Sequence, residues 1–134
     1  MITVKCKVEA SVDEVWKLWT TPAHIMNWNN ASEDWHTPYV ENDLRVGGKF
    51  KFTMASKDGT ISFDFEGEYT KVENHSLIEY KLADERKIDV YFVSLEDGVE
   101  IIESFDPENV NSEEMQREGW QAILNNFKKY AECL

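Results

Sequence analysis

The C-terminal stretch NSEEMQREGWQAILNNFKKYAECL, residues 111–134, decides the fold. Met115, Trp120, Ile123, Leu124, Phe127, Tyr130, Ala131 and Leu134 recur three or four residues apart, the spacing of one apolar stripe on an α-helix. Asn111 and Ser112 can cap its start, Glu113 and Glu114 suit the positive first turn, and Lys128 and Lys129 suit the negative end. No proline interrupts it. A helix of about 22 residues runs roughly 33 Å, the width of a small domain. Its apolar side needs an equally long apolar partner.

The residues before it supply a sheet. Phe50, Phe52 and Met54 alternate with Lys49, Lys51 and Thr53; Ile61, Phe63, Phe65, Gly67 and Tyr69 alternate with polar residues; Ile78, Tyr80 and Leu82 do the same. Lys87–Leu95 and Val99–Phe105 pair across Glu96-Asp97-Gly98, and Lys57-Asp58-Gly59 is a second hairpin signal. Trp35–Val40 reads as a further strand, which Pro38 restricts to an edge or a short piece. At the N-terminus, Ile2, Val4, Cys6 and Val8 form a half-buried strand. Ser11 and Glu14 then make a capping box, and Thr21-Pro22 starts a second short helix. The order is strand, two short helices, about six strands, long helix. That is an α+β class: a curved antiparallel sheet of six to seven strands around the C-terminal helix. No linker or repeat divides residues 1–134, so one domain is expected.

Composition narrows the function. The chain is 42% hydrophobic and 13% aromatic, typical of a folded protein, and its 26 acidic against 14 basic residues give a net charge of −12. Such a surface repels phosphates and anionic lipid, so neither nucleic acid nor membrane is an expected partner. No apolar run approaches the roughly 20 residues of a membrane span, and Met1–Ala10 alternates rather than forming a signal peptide. With only Cys6 and Cys133, the economical reading is a cytoplasmic protein with two reduced, buried thiols. A disulfide joining the termini is the alternative.

Several stretches, taken in order, resemble a known family: Val12–Trp16; Trp19–Ile25 with Trp28; Asp43–Phe50; Phe65–Tyr69; Phe105–Glu108; Gly119–Gln121; and Leu124–Phe127. They resemble single-domain proteins similar to the C-terminal half of the heat-shock-protein ATPase activator, within the START-like, helix-grip (SRPBCC) superfamily. The resemblance spans the whole chain and implies a helix-grip fold with a hydrophobic cavity between sheet and helix. It implies no particular activity, because the fold hosts binding proteins and enzymes alike. Nothing in the chain corresponds to the second domain with which the activators engage the chaperone.

Candidate residues are those facing such a cavity. No metal signature is present: His24, His36 and His75 are scattered, and no Cys-x-x-Cys occurs. Gly47-Gly48 lacks the length and following helix of a phosphate loop, and no nucleophile motif is found, so no catalytic residue and no cofactor is assigned. Trp28, Trp35 and His36 either border the cavity mouth or cover the core. Arg45 either orients a ligand anion or pairs with a neighbouring carboxylate. Phe52, Phe63, Phe65, Tyr80, Trp120 and Leu124 are the expected apolar walls. Glu103 is the anomaly: it shares the register of Val99, Ile101 and Phe105, yet Ile101-Ile102 also permits a one-residue slip that sends it to solvent. Facing inward, its carboxyl would have a raised pKa.

Three functions follow, in this order: binding of a small hydrophobic, lipid- or polyketide-like molecule; modulation of a chaperone ATPase, by analogy only; and cyclase- or hydratase-type catalysis with Glu103, His36 or Tyr80 as acid or base. Burying six side chains of the helix stripe contributes about 9–18 kcal/mol before entropy is subtracted. Truncation before Trp120 should therefore abolish cooperative unfolding in a urea titration followed by circular dichroism. A truncated chain that still unfolds cooperatively contradicts this assignment.

Overall fold

The computed structural model describes residues 1–134. Seven strands and three helices follow in the order β1 (Ile2–Val8), α1 (Val12–Thr20), α2 (Pro22–Trp28), β2 (Trp35–Asn42), β3 (Lys49–Ser56), β4 (Ser62–Glu73), β5 (Leu77–Leu82), β6 (Lys87–Leu95), β7 (Gly98–Phe105) and α3 (Glu113–Glu132). The sheet is antiparallel with spatial order β1-β7-β6-β5-β4-β3-β2. It is a meander whose first strand returns to the far edge, curled around α3. Pro38 lies on edge strand β2, where the pairing with β3 shifts between His36 and Tyr39. A residue that cannot donate to a ladder is tolerated there.

Caps formed where the sequence placed them. The Ser11 hydroxyl accepts from the Glu14 N–H, and the Ser112 hydroxyl from the Met115 N–H. Thr21 occupies the cap of α2 but bonds through its backbone carbonyl, to the His24 and Ile25 N–H groups, rather than its side chain.

α3 is held on two sides. Phe127, fully buried, sits edge-on against Trp19 and Trp28 with ring centroids 4.9 and 4.8 Å away. Trp28 is fixed in turn by its indole N–H to the Leu18 carbonyl, 2.9 Å. Along its other side the helix covers the free edge of β1. Gln121 donates to the Lys5 carbonyl (3.1 Å), Lys128 donates to the Lys7 carbonyl (2.6 Å), and Glu132 accepts from the Glu9 N–H (2.8 Å). Positions 121, 128 and 132 share one helix face, so side chains supply the hydrogen bonds that an eighth strand would have made.

The stripe read from the sequence needs two corrections. Leu134 is 68% exposed, because it lies beyond the last turn of α3, and Met115, at the start of the helix beside the cavity, is 60% exposed. The stripe buried against the sheet is therefore Trp120 to Ala131. Cys133, expected buried, is exposed, while Cys6 is half-buried, and both are free thiols.

On the inner face, Phe50 of β3 lies opposite Gly67 of β4. A Cβ at Gly67 would stand 2.8 Å from the Phe50 ring and 2.9 Å from the Lys81 carbonyl. The missing side chain lets the ring lie flat on the sheet. Gly67→Ala should cost about 1–3 kcal/mol in urea denaturation through this overpacking. An unchanged midpoint would show that the ring and strand β5 shift freely.

Candidate functional site

The curl of the sheet and the anchoring of α3 at its C-terminal half leave a cavity of about 390 Å³ under the N-terminal half. Fourteen of its 23 lining residues are hydrophobic, so its walls suit an apolar guest. Period-2 alternation builds the sheet wall: Phe50, Phe52 and Met54 from β3, facing Gly67, Phe65 and Phe63 of β4. Exposure along this face rises from 3% at Phe50 to 49% at Phe63, so the cavity opens toward the β3–β4 hairpin, where Ala31 and Met115 complete the rim. The helix wall is Trp120 and Ile123, with Trp120 stacked on Phe105 at 4.0 Å. Gln116 is buried and closes the preceding loop, donating to the carbonyls of Glu108 and Asn111 and accepting from the Glu108 N–H.

Four polar side chains project from the sheet into this space: Asn42, Tyr69, Tyr80 and Glu103. Two are satisfied internally. The Tyr69 hydroxyl donates to Asn42 Oδ1 (2.5 Å), and Asn42 Nδ2 donates to the Thr20 carbonyl (2.8 Å). The other two have no protein hydrogen-bond partner, yet neither is sealed in the core, so both present polar atoms to the cavity.

The register resolves the position of Glu103. Ile2 faces Phe105, Val4 faces Glu103, and Cys6 faces Ile101, with Val90 opposite Glu103 on the other side. Glu103 therefore shares the inward face and is 7% exposed. Burial alone pushes its carboxyl from the ordinary 4.5 up to about 8, and no cation offsets it. The neighbouring Tyr80 hydroxyl is also pushed up, first by burial and then by the charge of Glu103 and Tyr69. Cys6 is raised to about 12, chiefly by burial. Near neutrality the two cavity-lining groups, Glu103 and Tyr80, are both uncharged acids, while Cys6 lies outside the lining.

Of the eleven residues singled out from the sequence, the structure brings seven together around the cavity: Trp28, Phe52, Phe63, Phe65, Tyr80, Glu103 and Trp120. The other four lie elsewhere. Trp35 packs against Phe63 from outside the rim, 6.0 Å between centroids. His36 lies on edge strand β2 beside its register shift, with Nδ1 buried and unpartnered. Arg45 is exposed because its Nε bonds the carboxylate of Asp43, two residues away, at 2.9 Å. Leu124 is fully buried in the core rather than exposed to the cavity. Sequence reading missed Trp19, Asn42, Ile78 and Arg86 as lining residues. The alternation that marked Phe65 and Tyr80 also carried Tyr69 and Ile78. Arg86 follows a turn and Asn42 ends an edge strand, where no periodicity signals direction.

Residues 9–132 match the family described as activator of Hsp90 ATPase homolog 1-like protein. The chain belongs to this AHSA1-like family. A solution structure of an AHSA1-like protein from Aeromonas hydrophila is 42% identical with a TM-score of 0.93, covering 98% of this chain and 92% of that one. A Cytophaga hutchinsonii protein, also known from a solution structure, is 52% identical with a TM-score of 0.86 and the same coverage. A crystal structure from Chromobacterium violaceum shares the fold alone, at 19% identity and a TM-score of 0.86 over 96% of this chain and 94% of that one. No match was found among curated proteins. Within the AHSA1-like chain, no helix is long and apolar enough to cross a membrane.

The raised carboxyl makes stability depend on pH. The folded chain keeps the Glu103 proton up to about 8, while the unfolded chain releases it near 4.5. Folding is therefore favoured most below 4.5, and this contribution is lost as pH rises toward 8. Cys6 and Tyr80 stay protonated across that window. Urea denaturation at pH 5 and pH 9 should show Glu103→Gln gaining about 3–5 kcal/mol on the wild type. Parallel pH profiles would mean that the carboxyl is solvated.

Proposed function

We propose that this AHSA1-like protein binds a small, largely apolar molecule between the sheet and the first half of α3. The observation that carries this reading is the cavity itself. At about 390 Å³ it exceeds the roughly 300 Å³ lower bound of ligand pockets, and its own aromatic side chains do not fill it. Gly119 supports the reading. It stands in the middle of α3 on the cavity wall, where a Cβ would meet nothing within 4 Å. A glycine there costs the helix about 1 kcal/mol relative to alanine and leaves room for a guest.

Modulation of a chaperone ATPase has only the family description behind it. Catalysis lacks a matched acid–base pair, because Tyr80 and Glu103 are both held in their protonated forms.

Native mass spectrometry and thermal-shift measurements with medium-chain fatty acids and flat aromatic compounds test binding, with Trp120 fluorescence as an independent readout. The expected result is a 1:1 complex, a raised Tm and quenched tryptophan emission. Gly119→Leu, which extends into the open volume, should abolish all three while leaving the free protein at least as stable as the wild type. Unaltered binding by that variant would place the ligand elsewhere.

A further inference from the structure

Resting on that reading, we propose that the inner end of the cavity is a two-donor site for one neutral oxygen of the ligand. The Tyr80 hydroxyl and the Glu103 carboxylic acid would converge on a ketone, enone or phenol oxygen of an otherwise apolar molecule.

Geometry carries the assignment. Glu103 on β7 faces Val90 on β6, and Val90 faces Ile78 on β5. Tyr80 is two residues beyond Ile78, so the two side chains leave the same face on a diagonal separated by one strand. They do not hydrogen-bond each other, yet they lie close enough for the Glu103 charge to act on the Tyr80 hydroxyl. Both line the same open volume, and both lack a protein partner while Asn42 and Tyr69 beside them are fully engaged. A carboxyl that is 93% shielded and unpartnered is costly unless something completes it.

The charges nearby select the ligand class. The titratable groups acting on the Tyr80 hydroxyl are Glu103 from β7 and Tyr69 from β4, burial alone acts on Glu103, and no cation acts on either donor. The Arg86 guanidinium lines the cavity but binds Asp84 through Nε at 2.7 Å and leaves Glu103 without electrostatic relief. A ligand carboxylate placed here would be an uncompensated buried anion. A ligand amine would require Glu103 to ionise in the dry interior. A neutral acceptor oxygen requires neither, since a buried acid that keeps its proton serves as a donor.

Three probes of nearly equal size decide the matter: methyl naphthyl ketone, ethylnaphthalene and naphthylethylamine, titrated by tryptophan fluorescence. The ketone should bind about tenfold or more tightly than the hydrocarbon, the gain expected from two modest buried hydrogen bonds. Its carbonyl stretch should move to lower frequency on binding, as read by infrared difference spectroscopy. Tyr80→Phe and Glu103→Leu should each bring the ketone-to-ethylnaphthalene affinity ratio most of the way to one and remove most of the frequency shift. Glu103→Gln, which keeps an N–H donor and cannot be an anion, should retain both. Equal affinity for ketone and hydrocarbon overturns the two-donor site but leaves apolar binding standing. Preference for the amine, lost in Glu103→Gln, overturns it in favour of an ionised carboxylate. Binding of none of the three overturns both readings.

Discussion

The constraint on which the rest depends is the fastening of α3 to the sheet edge and the short helices from Trp120 and Gln121 onward. Phe127 packs against both Trp19 and Trp28, Gln121 and Lys128 bond the Lys5 and Lys7 carbonyls of β1, and Glu132 bonds the N–H of Glu9 just past it. The helix cannot slide along the strand without losing hydrogen bonds, nor roll without withdrawing Phe127 from its aromatic slot. With that end fixed and the sheet curling away through β5, β4 and β3, the first half of α3 must span open space. The cavity results from a straight rod meeting a curved surface, and large side chains narrow it without filling it.

Locally unfavourable choices concentrate around that space. A glycine interrupts the helix at 119, a carboxyl is buried at 103 without a partner, and Tyr80 leaves its hydroxyl unbonded. Elsewhere serine caps, an edge proline and side chains over the exposed strand edge follow the rules, and the exceptions are the buried, unpartnered Nδ1 of His36 and the positive φ of His75 and Glu85. Departures clustered at one cavity are the pattern expected where function rather than stability selects the residue. The two relatives at 42% and 52% identity share the architecture. Shared architecture leaves chemistry to the site, since one fold hosts many activities.

Much of this was legible in the sequence. Period-3.6 spacing over residues 113–132 and period-2 spacing through the strands gave element types, order and the inward faces, including the walls Phe52, Phe65 and Trp120. Loop and edge residues were not legible in the same way. Trp35, His36 and Arg45 sit where no repeating pattern assigns a direction, and local events decided them: a shifted edge pairing and a two-residue ion pair with Asp43. Leu124 shows a subtler limit, because periodicity marks a buried face without separating residues packed solid from residues beside a void.

The sequence by itself determined that an amphipathic helix closes a curved antiparallel sheet, because hydrophobic period and cap chemistry act over a few residues. It also determined that Glu103 stood out, but not which way it faced. Only the pairing of β7 with its hairpin neighbour β6 and with β1, from the other end of the chain, settled that, since register is a property of strands brought together and not of one strand. The existence of the cavity was likewise a tertiary matter. It depends on where along its length α3 is fastened, and that is set by contacts with residues about a hundred positions away.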